Sequence, residues 1–178
     1  MSEVRILAGS ARGRALKVPP SARPTGAMLR KSLFDVLANH YGEGCRFLDL
    51  YAGAGAVGLE AASRGYQCVL VEKDPRAVEV IERNRRTLGL EASVVRRDAL
   101  AFITGEHEPF DVVFIDPPYE KDIAGAAEKA LAREGLLAQE GVLVVQSPAA
   151  LPLPPGGAGY RVDRRSQGSN ALTYYWRR

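Results

Sequence analysis

From residue 46 onward, apolar segments alternate with segments of helical periodicity, and this alternation limits the fold more than any other feature. The segments 46–51, 67–72 and 110–115 show little period-two alternation, which is typical of strands covered on both faces. Helices are predicted over residues 56–63 and 75–88, the second beginning with a proline, which fits the first helical position. Such alternation predicts crossover connections and a mostly parallel sheet.

The later part of the chain continues this pattern and then departs from it. Strands are predicted over residues 93–97 and 141–146, with a mostly helical segment at 125–137 before the second of them. The last two predicted strands, 160–165 and 171–176, have no helix between them. They are expected to form a hairpin that places one antiparallel strand in the sheet.

The first forty residues follow a pattern of their own. Residues 4–8 and 15–18 are predicted to form a small β-hairpin. A helix is predicted over residues 25–38, with Thr25 as its N-cap. Its apolar residues recur at helical spacing and are Met28, Leu29, Leu33, Phe34, Val36 and Leu37.

The predicted fold is a doubly wound, Rossmann-like α/β domain with a mostly parallel seven-stranded sheet, one antiparallel strand, and an N-terminal hairpin and helix. We assign residues 1–40 to an arm that belongs to the same domain as residues 41–178. Folds of this class bind their ligands outside the carboxyl ends of the strands, so the candidate site residues are sought there.

Composition agrees with one folded domain and argues against several classes of protein. The chain has 178 residues, of which 46% are hydrophobic and 25% charged, which argues against disorder. No run of 18 apolar residues and no signal-like apolar start are present, so we expect no membrane span and no secretion. Cys45 and Cys68 make no ligand cluster, so we expect no metal and a soluble, reduced, cytoplasmic protein.

The charge is unevenly distributed along the chain. Residues 1–40 hold seven basic and two acidic residues, residues 41–160 hold 12 basic and 18 acidic, and residues 161–178 hold five basic and one acidic. Basic ends around an acidic middle suggest a polyanionic partner such as nucleic acid, although the arginines could simply keep exposed edges soluble. The candidate phosphate contacts of the N-terminal hairpin are Arg12, Arg14 and Lys17.

A glycine-rich turn follows the first strand of the alternating region. Gly53, Gly55 and Gly58 match the spacing G-x-G-x-x-G between a predicted strand and a predicted helix. Glu72 lies 19 residues after Gly53, at the end of the next strand, where a carboxylate can accept hydrogen bonds from ribose hydroxyls. The sequence therefore predicts a nucleoside-containing ligand, with a tight turn that binds nothing as the alternative.

Two aspartates help to choose among such ligands. Asp49, just before the glycines, would repel a pyrophosphate but suit the cationic amino group and sulfonium of S-adenosylmethionine. It could also be a structural acid that caps a loop, and an NAD-dependent oxidoreductase remains the alternative for the glycine spacing. Asp98 follows the third strand, where it can accept from an adenine amine, cap the helix after it, or do both.

The fourth strand ends in Asp116-Pro117-Pro118-Tyr119, the most informative tetrapeptide of the chain. The prolines end the strand and remove two N–H donors while both carbonyls remain acceptors. The Asp116 carboxylate and the Pro117 carbonyl could therefore hold the amine of a nucleobase that stacks on Tyr119. Holding both N–H groups favours a pyramidal nitrogen whose lone pair can attack a methyl group in line. The alternative is a strand-terminating turn with an incidental tyrosine.

These motifs look like those of class I S-adenosylmethionine-dependent amino-methyltransferases. The segments Arg-Ile-Leu-Ala-Gly at 5–9, Arg-Gly-Arg at 12–14, Arg-Pro-Thr at 23–25 and Leu-Phe-Asp at 33–35 are similar to the bacterial RsmD family. That family methylates the N2 amine of one guanine in 16S ribosomal RNA. The resemblance covers nearly the whole chain, and the N-terminal segments carry the assignment to this family.

The resemblance implies a role for each matching residue. Methyl transfer would involve Asp116, Pro117 and Tyr119, and Arg23 and Thr25 would lie over the cofactor pocket. The remaining residues expected to bind S-adenosylmethionine are Asp49, Tyr51, Gly53, Gly55, Glu72, Asp98 and Ala99. The implied partner is 16S rRNA or the small ribosomal subunit, and a monomer is expected.

Besides the oxidoreductase, three rival functions remain open. DNA adenine-N6 methylation uses the same tetrapeptide, although the chain has no evident room for an added target-recognition region. A small-molecule methyltransferase would have no use for the basic ends. A nucleotide-sensing RNA-binding module without catalysis would bind RNA and S-adenosylmethionine but transfer no methyl group.

Overall fold

The computed structural model describes residues 3–20 and 22–178, and its strands fall into a two-stranded hairpin and a seven-stranded sheet. The hairpin consists of β1 (Val4–Arg5) and β2 (Ala15–Leu16). The sheet consists of β3 (Arg46–Leu50), β4 (Gln67–Glu72), β5 (Ser93–Arg96), β6 (Phe110–Ile115), β7 (Leu137–Pro148), β8 (Tyr160–Gln167) and β9 (Asn170–Arg177).

The order of the strands across the large sheet is β5-β4-β3-β6-β7-β9-β8. The pairs from β5 to β7 are parallel, whereas β9 runs antiparallel to both β7 and β8. This confirms the predicted seven-stranded sheet with one antiparallel strand. From β3 the chain moves outward to β4 and β5 and then returns to β6 on the other side of β3. The topological switch point therefore lies between β3 and β6.

The helices cover both faces of this sheet. They are α1 (Ala27–Leu37), α2 (Ala56–Ser63), α3 (Pro75–Thr87), α4 (Ala99–Thr104) and α5 (Ile123–Ala132). One buried cluster joins α1, α2 and α3 to the sheet through residues such as Phe34, Leu59 and Ile81. A second cluster, with Ile103 of α4 and Ala127 of α5, covers the opposite face. Burial on both faces explains why the strands lack period-two alternation.

The N-terminal hairpin packs on the helical layer of the first cluster. Val4, Ile6 and Leu16 are buried in the same hydrophobic cluster as the helices α1, α2 and α3. The side-chain amide of Asn84, buried in α3, donates to the Lys17 carbonyl at 2.8 Å and accepts from the Lys17 N–H at 2.9 Å. The hairpin is therefore docked by both apolar and polar contacts.

Several element boundaries differ from those predicted. The hairpin strands have two residues each, and β7 begins at Leu137 because a register shift between Phe110 and Val112 extends its pairing with β6. Helix α1 begins at Ala27 with Gly26 as N-cap, so the prediction that Thr25 caps it was wrong. Within the described ranges, no helix combines the length and apolarity needed to cross a membrane.

Candidate active site

Three carboxylates lie at the carboxyl ends of the central parallel strands, on one face of the sheet. Asp49 belongs to β3, Glu72 is the last residue of β4, and Asp116 follows β6. Each comes two residues after a side chain of the cluster beneath α1 and α2, namely Phe47, Leu70 and Phe114. Because side chains two apart in a strand share a face, the three carboxylates point toward the same helical layer.

The backbone of the glycine turn after β3 contacts the last residue of β4. Gly53 and Gly55 have left-handed φ angles of 57° and 84°, and Tyr51 adopts φ 61°, which is uncommon for a residue with a Cβ atom. The Gly53 N–H donates to Oε1 of Glu72 at 2.9 Å, while Oε2 accepts from the Asp74 N–H at 2.9 Å. Two donors thus fix the Glu72 carboxylate, and further lone pairs remain for a ligand.

Asp49 is buried and has few partners that could offset a charge on its carboxyl group. It is 2% exposed, and its Oδ2 accepts a hydrogen bond from the Gly58 N–H at 2.9 Å. Burial raises the pKa of Asp49 to about 8, the Gly58 N–H opposes this, and the nearby charges of Asp116 and Glu72 raise it further. A Cβ atom at Gly58 would lie 2.5 Å from the Leu70 side chain, so this approach requires glycine. Asp49 therefore caps α2 and favours a cationic neighbour.

Asp116 is half-buried and lies three residues before an exposed aromatic ring. Burial raises the pKa of Asp116 to about 6, and a long hydrogen bond of 3.5 Å from the Thr25 hydroxyl to its Oδ2 opposes the rise. Pro117 is buried, whereas Tyr119 is 64% exposed, with Lys121 Nζ 5.8 Å from the ring centroid. The segment Asp116–Tyr119, called the Asp116 corner below, thus combines a half-buried carboxylate acceptor with an accessible aromatic ring.

Asp98 caps the helix that follows the third strand of the parallel region. Its Oδ2 accepts from the Ala101 N–H at 3.0 Å, so the N-cap interpretation is confirmed. Ala99 is buried, and the Arg97 N–H donates to the Glu72 carbonyl at 3.1 Å. Asp98 therefore lies next to the Glu72 end of the site. Its contact with an adenine stays a prediction.

A buried ion network that sequence reasoning missed holds the arm against the site. Glu60 of α2 is fully buried and accepts hydrogen bonds from the backbone N–H groups of Leu7 at 2.8 Å and Ala8 at 3.1 Å. It also pairs with Arg30, 2% exposed, at 3.1 Å and with Arg64 at 2.9 Å. Four donors therefore surround this carboxylate.

Arg30 connects this network, through Thr25, to the Asp116 corner at the end of β6. Its guanidinium donates to the Thr25 carbonyl at 3.1 Å and to the Arg5 carbonyl at 3.0 Å, besides Glu60. The same Thr25 directs its hydroxyl at Asp116, 91 residues away in sequence. The network thus positions Thr25 over the Asp116 corner. No sequence periodicity could have revealed it, because its members come from distant segments.

The comparisons with known proteins agree with this geometry. The family model described as "Conserved hypothetical protein 95" matches residues 4–176. Ribosomal RNA small subunit methyltransferase D of Escherichia coli (strain K12) is 35% identical over 166 residues, covering 91% of this chain and 83% of that protein. The chain belongs to the RsmD family.

Solved structures show that the fold is a methyltransferase fold. A hypothetical protein of Thermus thermophilus is 49% identical, with a TM-score of 0.88 over 96% of this chain and 98% of that one. The Thermus thermophilus 16S rRNA N2 methyltransferase RsmC, solved with AdoMet and guanosine, has a TM-score of 0.78 over 99% of this chain and 50% of that one. At 23% identity it supports the fold alone.

In this RsmD-family chain, the predicted phosphate contacts lie away from the carboxylates. The Arg14 guanidinium donates at 2.5 Å to the carbonyl of Thr87, the last residue of α3. Since α3 begins at Pro75, just past the Glu72 end of β4, its 13 residues place Thr87 about 20 Å from that edge. Arg12 is exposed in the same hairpin turn. The structure therefore does not bring these arginines together with Asp116.

The other predicted residues of this family member are distributed as follows. Arg23 is exposed two residues before Thr25, at the Asp116 corner, and Lys17 is exposed where β2 meets α3. Burial raises the pKa of the Tyr51 hydroxyl to about 12, with the charges of Asp98 and Asp122 adding to the rise. Among residues 3–20 and 22–178, no group of three His, Cys, Asp or Glu could hold a metal ion.

Proposed function

We propose that this protein transfers a methyl group from S-adenosylmethionine to the exocyclic N2 amine of a guanine in 16S ribosomal RNA. The observation that carries the proposal is the corner after β6, where the half-buried Asp116, contacted by the Thr25 hydroxyl, is followed by the exposed Tyr119. Its Escherichia coli relative is named a ribosomal RNA small subunit methyltransferase, which supports the RNA substrate.

The residues present fit S-adenosylmethionine. Buried Asp49 accepts from one donor within the described residues and has two carboxylate neighbours, so a cation would relieve its raised pKa. Glu72, held by two backbone donors, is oriented to accept from ribose hydroxyls. The other residues that we propose to line the cofactor site are Arg23, Thr25, Tyr51, Gly53, Gly55, Asp98 and Ala99.

The Asp116 corner would act mainly by orienting the base. With a pKa of about 6, the Asp116 carboxylate is mostly ionised at pH 7 and can accept one N–H of the amine. The Pro117 carbonyl accepts the other, and the Tyr119 ring stacks on the base. When bound, S-adenosylmethionine supplies an electrophilic methyl group. Much of the acceleration would come from proximity and preorganised acceptors, and the amine can lose its proton after transfer.

The RNA must present its guanine outside the base stack to reach this corner. A guanine in a structured loop leaves its stack at lower cost than one in a duplex, and this favours ribosomal RNA or the assembled small subunit as substrate. We propose that the protein acts on it as a monomer in the cytoplasm, with Arg12, Arg14 and Lys17 contacting phosphates away from the target base.

The test is methyl transfer with Asp116→Asn and Asp116→Ala. Both variants should lose most transfer from radiolabelled S-adenosylmethionine to small-subunit RNA while calorimetry shows cofactor binding retained. Mass spectrometry of the RNA nucleosides should identify N2-methylguanosine.

Three outcomes would contradict the proposal. Methylation of DNA adenine would favour the rival DNA enzyme, and binding of NAD in place of S-adenosylmethionine would favour an oxidoreductase. Binding of RNA by the intact protein without any methylation, on naked RNA and on subunits, would favour the non-catalytic module.

A further inference from the structure

A cleft of about 610 Å³ lies at the edge of the sheet opposite the carboxylates. Asp111, which lines it, is near the start of β6, whereas Asp116 follows the end of the same strand. The two residues are five positions apart along an extended strand, a distance of about 17 Å. The cleft is therefore distinct from the proposed methyl-transfer site, and its volume is in the range of small-molecule sites.

Aromatic side chains form one wall of the cleft. The rings of His40 and Trp176 have centroids 4.4 Å apart, and the Tyr41 ring is nearly parallel to Trp176 at 6.5 Å. The Tyr41 hydroxyl donates to the Glu140 carbonyl at 2.7 Å, which fixes the ring at the mouth of the cleft. Tyr41 is half-buried and His40 exposed, so a planar ligand could contact both.

Charged groups of both signs complete the lining. Arg161 lies opposite Trp176 in the β8–β9 register, with its guanidinium carbon 5.5 Å from the Trp176 ring centroid. Arg177 and Arg178 also line the cleft, as do the acidic residues Asp111 and Glu140. Oδ2 of Asp111 accepts from the Arg46 N–H at 2.7 Å, which leaves its other oxygen for a ligand.

Trp176 forms a wall of the cleft but is itself largely buried. It is 9% exposed, so a ligand would contact only the small accessible part of its ring. Its indole N–H makes no hydrogen bond within the described part of the chain, and the nitrogen has almost no exposed surface. This donor therefore lies out of reach of a ligand in the cleft.

We propose that this cleft binds one nucleotide of a single-stranded RNA segment, as a second contact with the RNA substrate. The inference rests on the proposed function for its substrate class. The mixed lining favours a nucleotide over a simple polyanion, because carboxylates accept from base amines while arginines bind phosphate. Aromatic rings give stacking surfaces for the base. A lipid headgroup or inorganic phosphate could use the arginines but would leave Asp111, Glu140 and the aromatic rings without a partner on the ligand.

The cleft has a built-in reporter, since Trp176 is the only tryptophan in the chain. The full-length protein would be titrated with a short single-stranded oligoribonucleotide while tryptophan fluorescence and oligonucleotide anisotropy are recorded together. We expect fluorescence quenching that follows the anisotropy. Arg161→Ala should weaken binding about tenfold, the loss expected for one charge-assisted contact.

Matched controls separate the cleft from general charge and from the methyl-transfer site. Lys129→Ala removes one positive charge from α5, on the other face of the sheet, and should leave the titration unchanged. Asp116→Ala should abolish methyl transfer but retain the quenching. Circular dichroism would establish that each variant is folded.

Three results would overturn the proposal: anisotropy binding without quenching, loss of quenching in Asp116→Ala, or quenching by an acidic peptide that exceeds that by RNA. If anisotropy shows binding without quenching and ribosomal RNA is still methylated, the proposed function stands but the cleft does not bind the RNA. Conversely, Arg161-dependent quenching without methylation would support the cleft and refute the enzyme.

Discussion

Two buried carboxylates, Glu60 in helix α2 and Asp49 bonded to the first turn of that helix, have opposite surroundings. Glu60 is fully buried and accepts from Arg30, Arg64 and two backbone N–H groups. Asp49 is 2% exposed and has one hydrogen bond within the described residues, from the Gly58 N–H. Acidic neighbours surround Asp49, whereas basic ones surround Glu60.

The difference separates a structural acid from a binding acid. A buried charge is stable only when partners replace the water that it has lost, and Glu60 has such partners within the chain. Asp49 lacks them, so burial raises the pKa of its carboxyl group to about 8. The unmet demand for positive charge is what a cationic cofactor would satisfy. Burial alone therefore does not distinguish the two roles, and the count of donors does.

The largest expected effect is on folding, from breaking the Glu60 network. Arg30→Met leaves Glu60 with fewer partners in a buried position, and we expect the free energy of unfolding to fall by about 3 kcal/mol. Urea denaturation would measure it. The double variant Arg30→Met/Glu60→Leu should recover part of the loss because it removes both charges. An unchanged midpoint in the single variant would contradict a structural role for the network.

The second effect is on ligand binding, from neutralising Asp49. Asp49→Asn keeps an oxygen for the Gly58 N–H but removes the charge, so affinity for S-adenosylmethionine should fall roughly 10- to 100-fold, as for a lost charged contact. The free energy of unfolding should stay level or rise, since Asn avoids the cost of keeping a buried carboxyl group protonated at a pH where the unfolded chain would ionise it. Calorimetry and urea denaturation test both parts. If Asp49→Asn lowers the free energy of unfolding but leaves the affinity for S-adenosylmethionine unchanged, Asp49 is a structural acid and the contrast with Glu60 is wrong.

The third effect is a dependence of binding on pH. Because the pKa of Asp49 is about 8, a cation that requires its ionised form should bind more tightly as pH rises from 6 to 8, by up to about tenfold per unit. Calorimetry in buffers of different ionisation enthalpy should show proton release, and Asp49→Asn should abolish it. Without ligand, the raised pKa contributes stability below about pH 4 that is lost as pH rises through about 8.

The smallest effect concerns the hydroxyl above Asp116. Thr25→Val removes a hydrogen bond of 3.5 Å that lowers the pKa of Asp116. The acid limb of the methyl-transfer profile, expected near pH 6, should therefore move upward by a few tenths of a unit. Thr25→Ser retains the hydroxyl and should restore the profile. A fall in maximal rate without a shift of the limb would assign Thr25 to another task.

The local patterns of the sequence predicted much of the fold. Helix α2 has the bounds expected, and the strands that end at the glycine turn and at Asp116 pair as crossover connections require. Asp49 and Asp116 were identified because each interrupts or ends an apolar strand, where a charge needs a reason. Such features are contained in single segments, and one sequence is enough to show them.

Interactions between distant segments escaped prediction. Met28 is one of the apolar residues at helical spacing in α1, yet it is 72% exposed, while Arg30 in the same helix is buried. Arg30 is tolerated there only because Thr25, Arg5 and Glu60 supply acceptors. The early start of β7 has a similar origin, since it depends on pairing with Phe110. Neither partner set can be identified without knowing which segments meet.

The pinning of the arm by Glu60 has a consequence for how this enzyme architecture can vary. Leu7, Ala8 and Arg30 provide three of the four donors to that carboxylate, all from the chain before β3. Deleting the arm would therefore leave this carboxylate with Arg64 alone of its four donors and would uncover the apolar surface that the arm buries. The arm is therefore an integral part of the domain, and a lineage that lost it would have to replace Glu60 at the same time.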